Sequence, residues 1–271
     1  MRARSGTAAR PTLFSLLTPL KPANDILAES GSPDHPGVAH PRPAWTGDGG
    51  GRPECSPFLV WQLADSSLPT GGFAHSAGLE AACQCGEIQN RRDLEDWLRA
   101  GVGQLTYSAL PFVNATYSAP ELLADTDRFC EAFTSNHVAN RASRAQGKAL
   151  LSIAERAFFC STAPARPPTT TPFGHHAPVF GFVASRLGLD ATTARRLFAF
   201  QHLRGSFAAA VRLNLVGPNE AQSMLFLLGA EAGKAADLAE GLGLGDVAQT
   251  APILDLLQGC QDRLYSRLFQ S

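Results

Sequence analysis

Between Asp65 and Glu80 the chain gathers Asp65, Ser66, Thr70, His75, Ser76 and Glu80, a dense set of groups able to do chemistry. Hydroxyls beside a histidine suggest a nucleophile with its base, and two carboxylates suggest proton transfer. The sequence completes neither pattern. Ser66, Ser76 and His75 lack the strand-to-helix elbow that presents a nucleophilic serine. No second element is apparent that would push the Asp65 and Glu80 pKa values apart. Gly71-Gly72 lacks the Lys and Ser/Thr of a phosphate loop. The adjacent pair His175-His176 has no third ligand at workable spacing, and His35 and His40 lie in a stretch rich in Pro and Gly. Six cysteines, at 55, 83, 85, 130, 160 and 260, match no zinc pattern, and the thiols of Cys83 and Cys85 would leave a helix on different sides. No catalytic set and no metal site is assigned.

The elements that must position these groups are helical. Leu59, Val60 and Leu63 predict the inner face of a short helix reaching Asp65. Pro69 has no N–H and disfavours helix at Leu68, so the chain turns there. Gly71 and Gly72 permit positive φ. A helix is expected to resume near Phe73 or Ala74, with Gly78 as its slimmest position and Leu79 and Ala82 facing inward.

Further along, Asn90 is a good N-cap, with Asp93 three residues on, for a helix whose core stripe is Leu94, Trp97, Leu98, Val102 and Leu105. Pro111 interrupts. Pro120 is placed to open the next helix, with Leu122, Leu123, Phe129 and Phe133 as its stripe. Asn136 to Phe159 predicts a long helix burying Val138, Ala142, Ala145, Ala149, Leu150, Ile153 and Phe158. Ser161 to Pro172 predicts a loop. Asp190 caps a helix holding Ala194, Leu197, Phe198 and Phe200, continued from Phe207 to Val216. Asn219 to Gly241 and a segment opened by Pro252 complete the series. No strand alternation stands out, so the fold class is all-α: a single-domain bundle of about ten helices over 58–271.

The chain has 271 residues, 44% hydrophobic and 17% charged, with net charge −1 and pI near 6.6. That suits one globular domain with a tail. Nothing predicts a sequence-independent grip on nucleic acid. No apolar run is long enough for a membrane span. Residues 1–57 carry many Pro and Gly and predict a disordered tail. Three Arg and no acid in the first twenty residues faintly resemble a transit peptide, but a secretory signal is not expected and the cytoplasm is the expected compartment.

Four blocks resemble the urease accessory protein F (UreF) family. The first is Gln62, Leu63, Asp65, Ser66, Pro69, Gly71, Gly72, Phe73, His75, Ser76, Gly78, Leu79 and Glu80. The second runs from Arg141 to Gln146-Gly147. The third joins His176–Gly181 to Ala208-Ala-Ala-Val-Arg-Leu, Gly217-Pro218 and Ala221-Gln222. The last is the ending Leu264-Tyr-Ser-Arg-Leu-Phe-Gln-Ser271. The chain departs at Gln261, where the family usually has a histidine. The resemblance implies an all-α, non-enzymatic maturation factor. It would act with UreD (UreH), recruit the GTPase UreG to apo-urease for GTP-dependent nickel insertion, and form a homodimer. It also implies no tightly held cofactor, nickel being handled by the complex. Partner contacts would fall on Gly71, Phe73 and His75, lying beside Tyr265, Arg267, Leu268 and Phe269, and the terminal segment would order against UreD. Phe198 and Phe200 would mark a dimer face. The enzymatic alternative is a helical cofactor enzyme of the haem-oxygenase or thiaminase type, with His75 or His137 as ligand or base.

Overall fold

The structure is a computed structural model that describes residues 56–159 and 170–271. Most of the predicted tail and of the 161–172 loop lies outside the described residues. Among the described residues every regular element is helical. The helices are α1 (Pro57–Ala64), α2 (Leu79–Gln84), α3 (Arg91–Ser108), α4 (Leu110–Ser118), α5 (Leu123–Phe133), α6 (His137–Ile153), α7 (His176–Arg186), α8 (Ala191–Arg212), α9 (Pro218–Leu238) and α10 (Pro252–Gly259).

Pro57, counted within the tail on composition, instead opens α1, where its missing N–H costs nothing. The caps follow the sequence. Asn90 Oδ1 accepts from the N–H groups of Arg92 and Asp93, Asn136 Oδ1 from Val138 and Ala139, and Asp190 Oδ1 from Thr193. The whole predicted stripe of α3 is buried. The two pieces expected around Phe198 and Phe207 are one continuous helix, α8.

Two stripes are rotated from expectation. On α5, Leu122 and Phe129 are exposed, while Leu123, Thr126, Asp127 and Cys130 are buried. On α6, Ala145 is exposed and Gly147 and Leu151 are buried. The reason is α7. Residues Ala177 to Ala184 are all buried, so this helix is enclosed rather than amphipathic. It packs on α4, α5, α6 and α8.

Two glycines let those crossings close. A Cβ on Gly181 would stand 2.2 Å from the Val113 carbonyl oxygen, and one on Gly147 would stand 2.2 Å from that of Gly174. Asp127, fully buried, ties the chain entering α7. It accepts from the N–H groups of Phe173, Gly174 and His175 and from the Thr171 hydroxyl. Burial pushes its pKa up, but these donors outweigh it and hold the carboxyl below its usual range.

Gly181→Ala should therefore cost about 2–3 kcal/mol by overpacking the α4–α7 crossing. Gly229→Ala, where nothing stands within 4 Å of the added carbon, should not destabilise. Urea-unfolding midpoints of the two variants check both statements.

Candidate functional site

The turn between α1 and α2 is not a resumed helix. A single 3₁₀ turn at Gly72–Ala74 is followed by Ala77 and Gly78, with φ of 52° and 86°, and α2 begins only at Leu79. Gly71, at φ 78°, makes the first bend. These bends leave backbone groups that a helix would have satisfied, and the C-terminal segment satisfies them. Gln270 N–H donates to Ala74 O at 2.8 Å, and Ser76 N–H donates to Ser271 O at 2.6 Å. Ser76 Oγ also donates to Ser271 O (3.0 Å), and His75 Nδ1 lies 2.7 Å from Ser271 Oγ.

Glu80 is the centre of this clasp. Its side chain is buried and accepts from the N–H groups of Leu268 (2.6 Å) and Phe269 (3.1 Å). A third donor is Gln261 Nε2 at 2.7 Å, which also reaches Phe269 O at 3.2 Å. The Gln261 amide thus supplies a donor to the carboxylate. Its own oxygen, fully buried, finds no partner. From outside, Gln84 Nε2 donates to Ser266 O and Arg141 to Gln270 O.

Arg212, at the last turn of α8, completes the clasp. Its guanidinium carbon lies 4.2 Å from the ring centres of both Phe73 and Phe269, and its NH1 donates to Phe73 O at 2.6 Å. A cation held between two rings gains about 0.5–2 kcal/mol from each. Phe269 is only 4% exposed, Phe73 67%.

The structure thus brings Phe73 and His75 beside the terminal segment, with Gly71 bending the turn that carries them. It also corrects the picture of a terminal segment that orders only on a partner. Phe269 and Ser271 are buried in the chain's own body. Tyr265 and Leu268 remain exposed, and Arg267 is half exposed beside Asp262 at 3.3 Å. Asp262 also accepts from both NH groups of Arg141 and lies 3.1 Å from His137 Nε2. The Arg141 bonds, chiefly, hold its carboxyl below the usual range. Of the aromatic pair on α8, Phe198 is buried between His176 and Phe180, while Phe200 is exposed.

The turn forms one wall of a cavity of about 1030 Å³, lined also by α6, α8 and the start of α9. His75, His176 and His202 all face it. His176 and His202 are half-buried, and desolvation pushes both pKa values down to about 4. His75 is lowered as well, by burial and then by Arg141. His175 is not in this set. It is buried between Ser143 Oγ (3.1 Å) and Glu131 (2.7 Å), as a structural residue would be. Among the described residues, no three His, Cys, Asp or Glu side chains form a group that could hold a metal ion.

The nucleophile–base reading of Ser76 and His75 is not assembled, since both contact Ser271. Asp65 is exposed and accepts from Ser67 N–H, away from the buried Glu80. His137 lies on the surface against Asp262.

Comparison with known proteins bears on this site. Residues 88–229 match the model of the UreF family. The chain is 37% identical over 224 residues to urease accessory protein F of Arabidopsis thaliana, covering 80% of this chain and 93% of that protein. It is 36% identical over 217 residues to urease accessory protein F of Oryza sativa subsp. japonica (77% and 83%). It is 33% identical over 216 residues to urease accessory protein UreF of Mycobacterium tuberculosis strain H37Rv (79% and 98%).

Two outcomes follow from the geometry. Arg212→Ala should lose about 2–3 kcal/mol in urea unfolding and expose the terminal segment to trypsin at Arg267. Arg212→Lys should recover only part of this, because an ammonium cannot stack as a plane between two rings. As for pH, His176 and His202 bind fewer protons folded than unfolded, so stability rises with pH. Their contribution is complete above the ordinary value of 6.5 and is lost as pH falls toward about 4. Urea midpoints measured across that window should fall with acid, and less steeply in His202→Phe.

Proposed function

The chain belongs to the UreF family of urease accessory proteins, and from that premise we propose that it serves as a scaffold for nickel insertion into urease. In this reading it binds UreD (UreH), and the pair recruits the GTPase UreG to apo-urease in the cytoplasm, within an assembly that holds two copies of this chain. It is a maturation factor and not a catalyst.

One observation carries the reading: the C-terminal segment has two faces with opposite duties. Its inner face, Phe269 and Ser271, is locked onto Glu80, Ser76 and Arg212. Its outer face presents Tyr265, Arg267 and Leu268, with exposed Leu256 of α10 nearby in sequence. Exposed aromatic and aliphatic side chains beside an arginine are the composition that anchors protein interfaces. Among the described residues Arg267 keeps one contact, to an aspartate already shared with Arg141, so its fork is available to a partner carboxylate or carbonyl pair. Phe200 is the exposed member of the suggested dimer face.

Nickel is cargo in this reading, with no resident cofactor. Three imidazoles line one cavity, and His75 already meets Ser271 Oγ through Nδ1. Without a compact donor cluster they would let a divalent ion pass more readily than trap it.

Arg267→Ala should leave the urea midpoint nearly unchanged, because an exposed ion pair contributes about 0–1 kcal/mol. It should nevertheless abolish urease activation when the accessory proteins are reconstituted with apo-urease, GTP and nickel. It should also weaken co-purification with UreD. Full activation by the variant would refute the assignment.

A further inference from the structure

Helix α8 carries four arginines, and they divide into two pairs. Arg195 and Arg196, near its start, meet acids: Glu240 at 3.7 Å and Asp237 at 2.8 Å. Arg204 and Arg212 instead line the cavity of about 1030 Å³. Each donates through NH1 to a main-chain carbonyl at 2.6 Å, Ala64 O for Arg204 and Phe73 O for Arg212, and neither makes an ion pair with a carboxylate of the described residues. Among the described residues Asp65 is the one acidic side chain on the cavity wall. It is exposed and accepts from Ser67 N–H, and its field only partly offsets the burial that pulls the Arg204 pKa down. A partly buried cation without a close counter-charge is costly, and an anion relieves that cost. The rest of the wall suits an organic body. Leu63, Leu68, Leu105, Phe207 and Leu225 line it. Between the two arginines α8 presents Gly205 and Ala208, and a Cβ on Gly205 would meet nothing within 4 Å. The volume stands at the top of the range of roughly 300–1,000 Å³ that small-molecule sites span.

We propose that this cavity binds a small organic anion, with its carboxylate or sulfonate head on the remaining N–H groups of Arg204 and its apolar body along Gly205 and Ala208 toward Arg212. The planar fork of a guanidinium takes such a head through two parallel bonds. Eight residues of helix separate the two arginines, about 12 Å at 1.5 Å per residue, which leaves room for the body between them. Leu63 and Leu105 stand on other walls of the same space and cover it from water. The site goes beyond the scaffold reading and does not rest on it. Such an anion would also offset the two guanidinium charges, which by themselves oppose a divalent cation in the same cavity.

The test uses the full chain alone at neutral pH, without urease, nickel or other accessory proteins. It is titrated with anilinonaphthalenesulfonate, an aromatic anion whose fluorescence rises in an apolar site. The expected result is saturable binding of one probe per chain. Decanoate, kept below its micelle concentration, should displace the probe, and decanol at the same concentration should not. Arg204→Gln should weaken probe binding about tenfold or more, because charge-assisted bonds to the head are lost. Gly205→Leu should abolish it by filling the floor of the cavity. Arg196→Gln, whose cation is already paired with Asp237, should leave it unchanged. Urea midpoints show whether each variant is folded, and Gly205→Leu decides alone if Arg204→Gln is not. The proposal is overturned if no saturable binding is seen, if Gly205→Leu binds the probe like the unaltered chain, or if decanol competes as well as decanoate. None of these outcomes touches the scaffold role, which is read from urease activation.

Discussion

A buried carboxylate without a cation is costly unless donors surround it, and this requirement at Glu80 organises the docking of the chain's last residues. Two of its donors are main-chain N–H groups of Leu268 and Phe269, and the third is the Gln261 amide. All three come from the last eleven residues of the chain, while Glu80 sits in the first turn of α2. Neither partner is satisfied alone. Short α2, with six residues, would be a poor helix in isolation. The terminal segment has no regular ladder of its own. Each supplies the hydrogen bonds that the other lacks, and Arg212 closes the arrangement by ordering one aromatic ring from each side.

The same logic explains why helix α7 is enclosed. A helix buried on all sides needs neighbours that come unusually near, and glycine is what allows a backbone to approach a backbone. Gly181 and Gly147 occupy the two crossings where any side-chain carbon would overlap a carbonyl oxygen. Helix α6, the start of α7, α8 and the Gly71–Ser76 turn together line the cavity. The histidines on its wall have lowered pKa values because of how the surrounding helices pack against them. A local sequence pattern around them would not reveal this.

That distinction separates what was legible in the sequence from what was not. Periodicity with Asn, Asp and Pro caps found α3, α6, α8, α9 and α10 because each has one clear inward stripe or a firm start signal. It misplaced the stripes of α5 and α6, where a hydrogen-bonded Asp127 and a close-contact glycine took core positions that an apolar pattern assigns to phenylalanine and alanine. It resumed the helix near Phe73 or Ala74, because nothing local shows that Ala77 will take positive φ. The motif resemblance named Glu80, His75 and Arg212 but could not state their work. Each acts on a residue between 57 and 196 positions away, and such pairings exist only in three dimensions. Asp127 was absent from every motif. Its one signal was a charge on the face of α5 that also carries Leu123 and Cys130, where burial demands a partner.

The docked terminus also bears on the partner recognition that we propose for it. A segment that folded only on contact would lose its conformational entropy at that moment, and affinity per unit of buried area would suffer. Here Glu80, Ser76 and Arg212 have already met that cost within the chain, so Tyr265, Arg267 and Leu268 are offered on a fixed backbone. Preorganisation of this kind favours affinity and register without enlarging the interface. It also makes the offering conditional. Whatever loosens the Glu80 clasp withdraws all three side chains together, because their backbone is held by the same bonds.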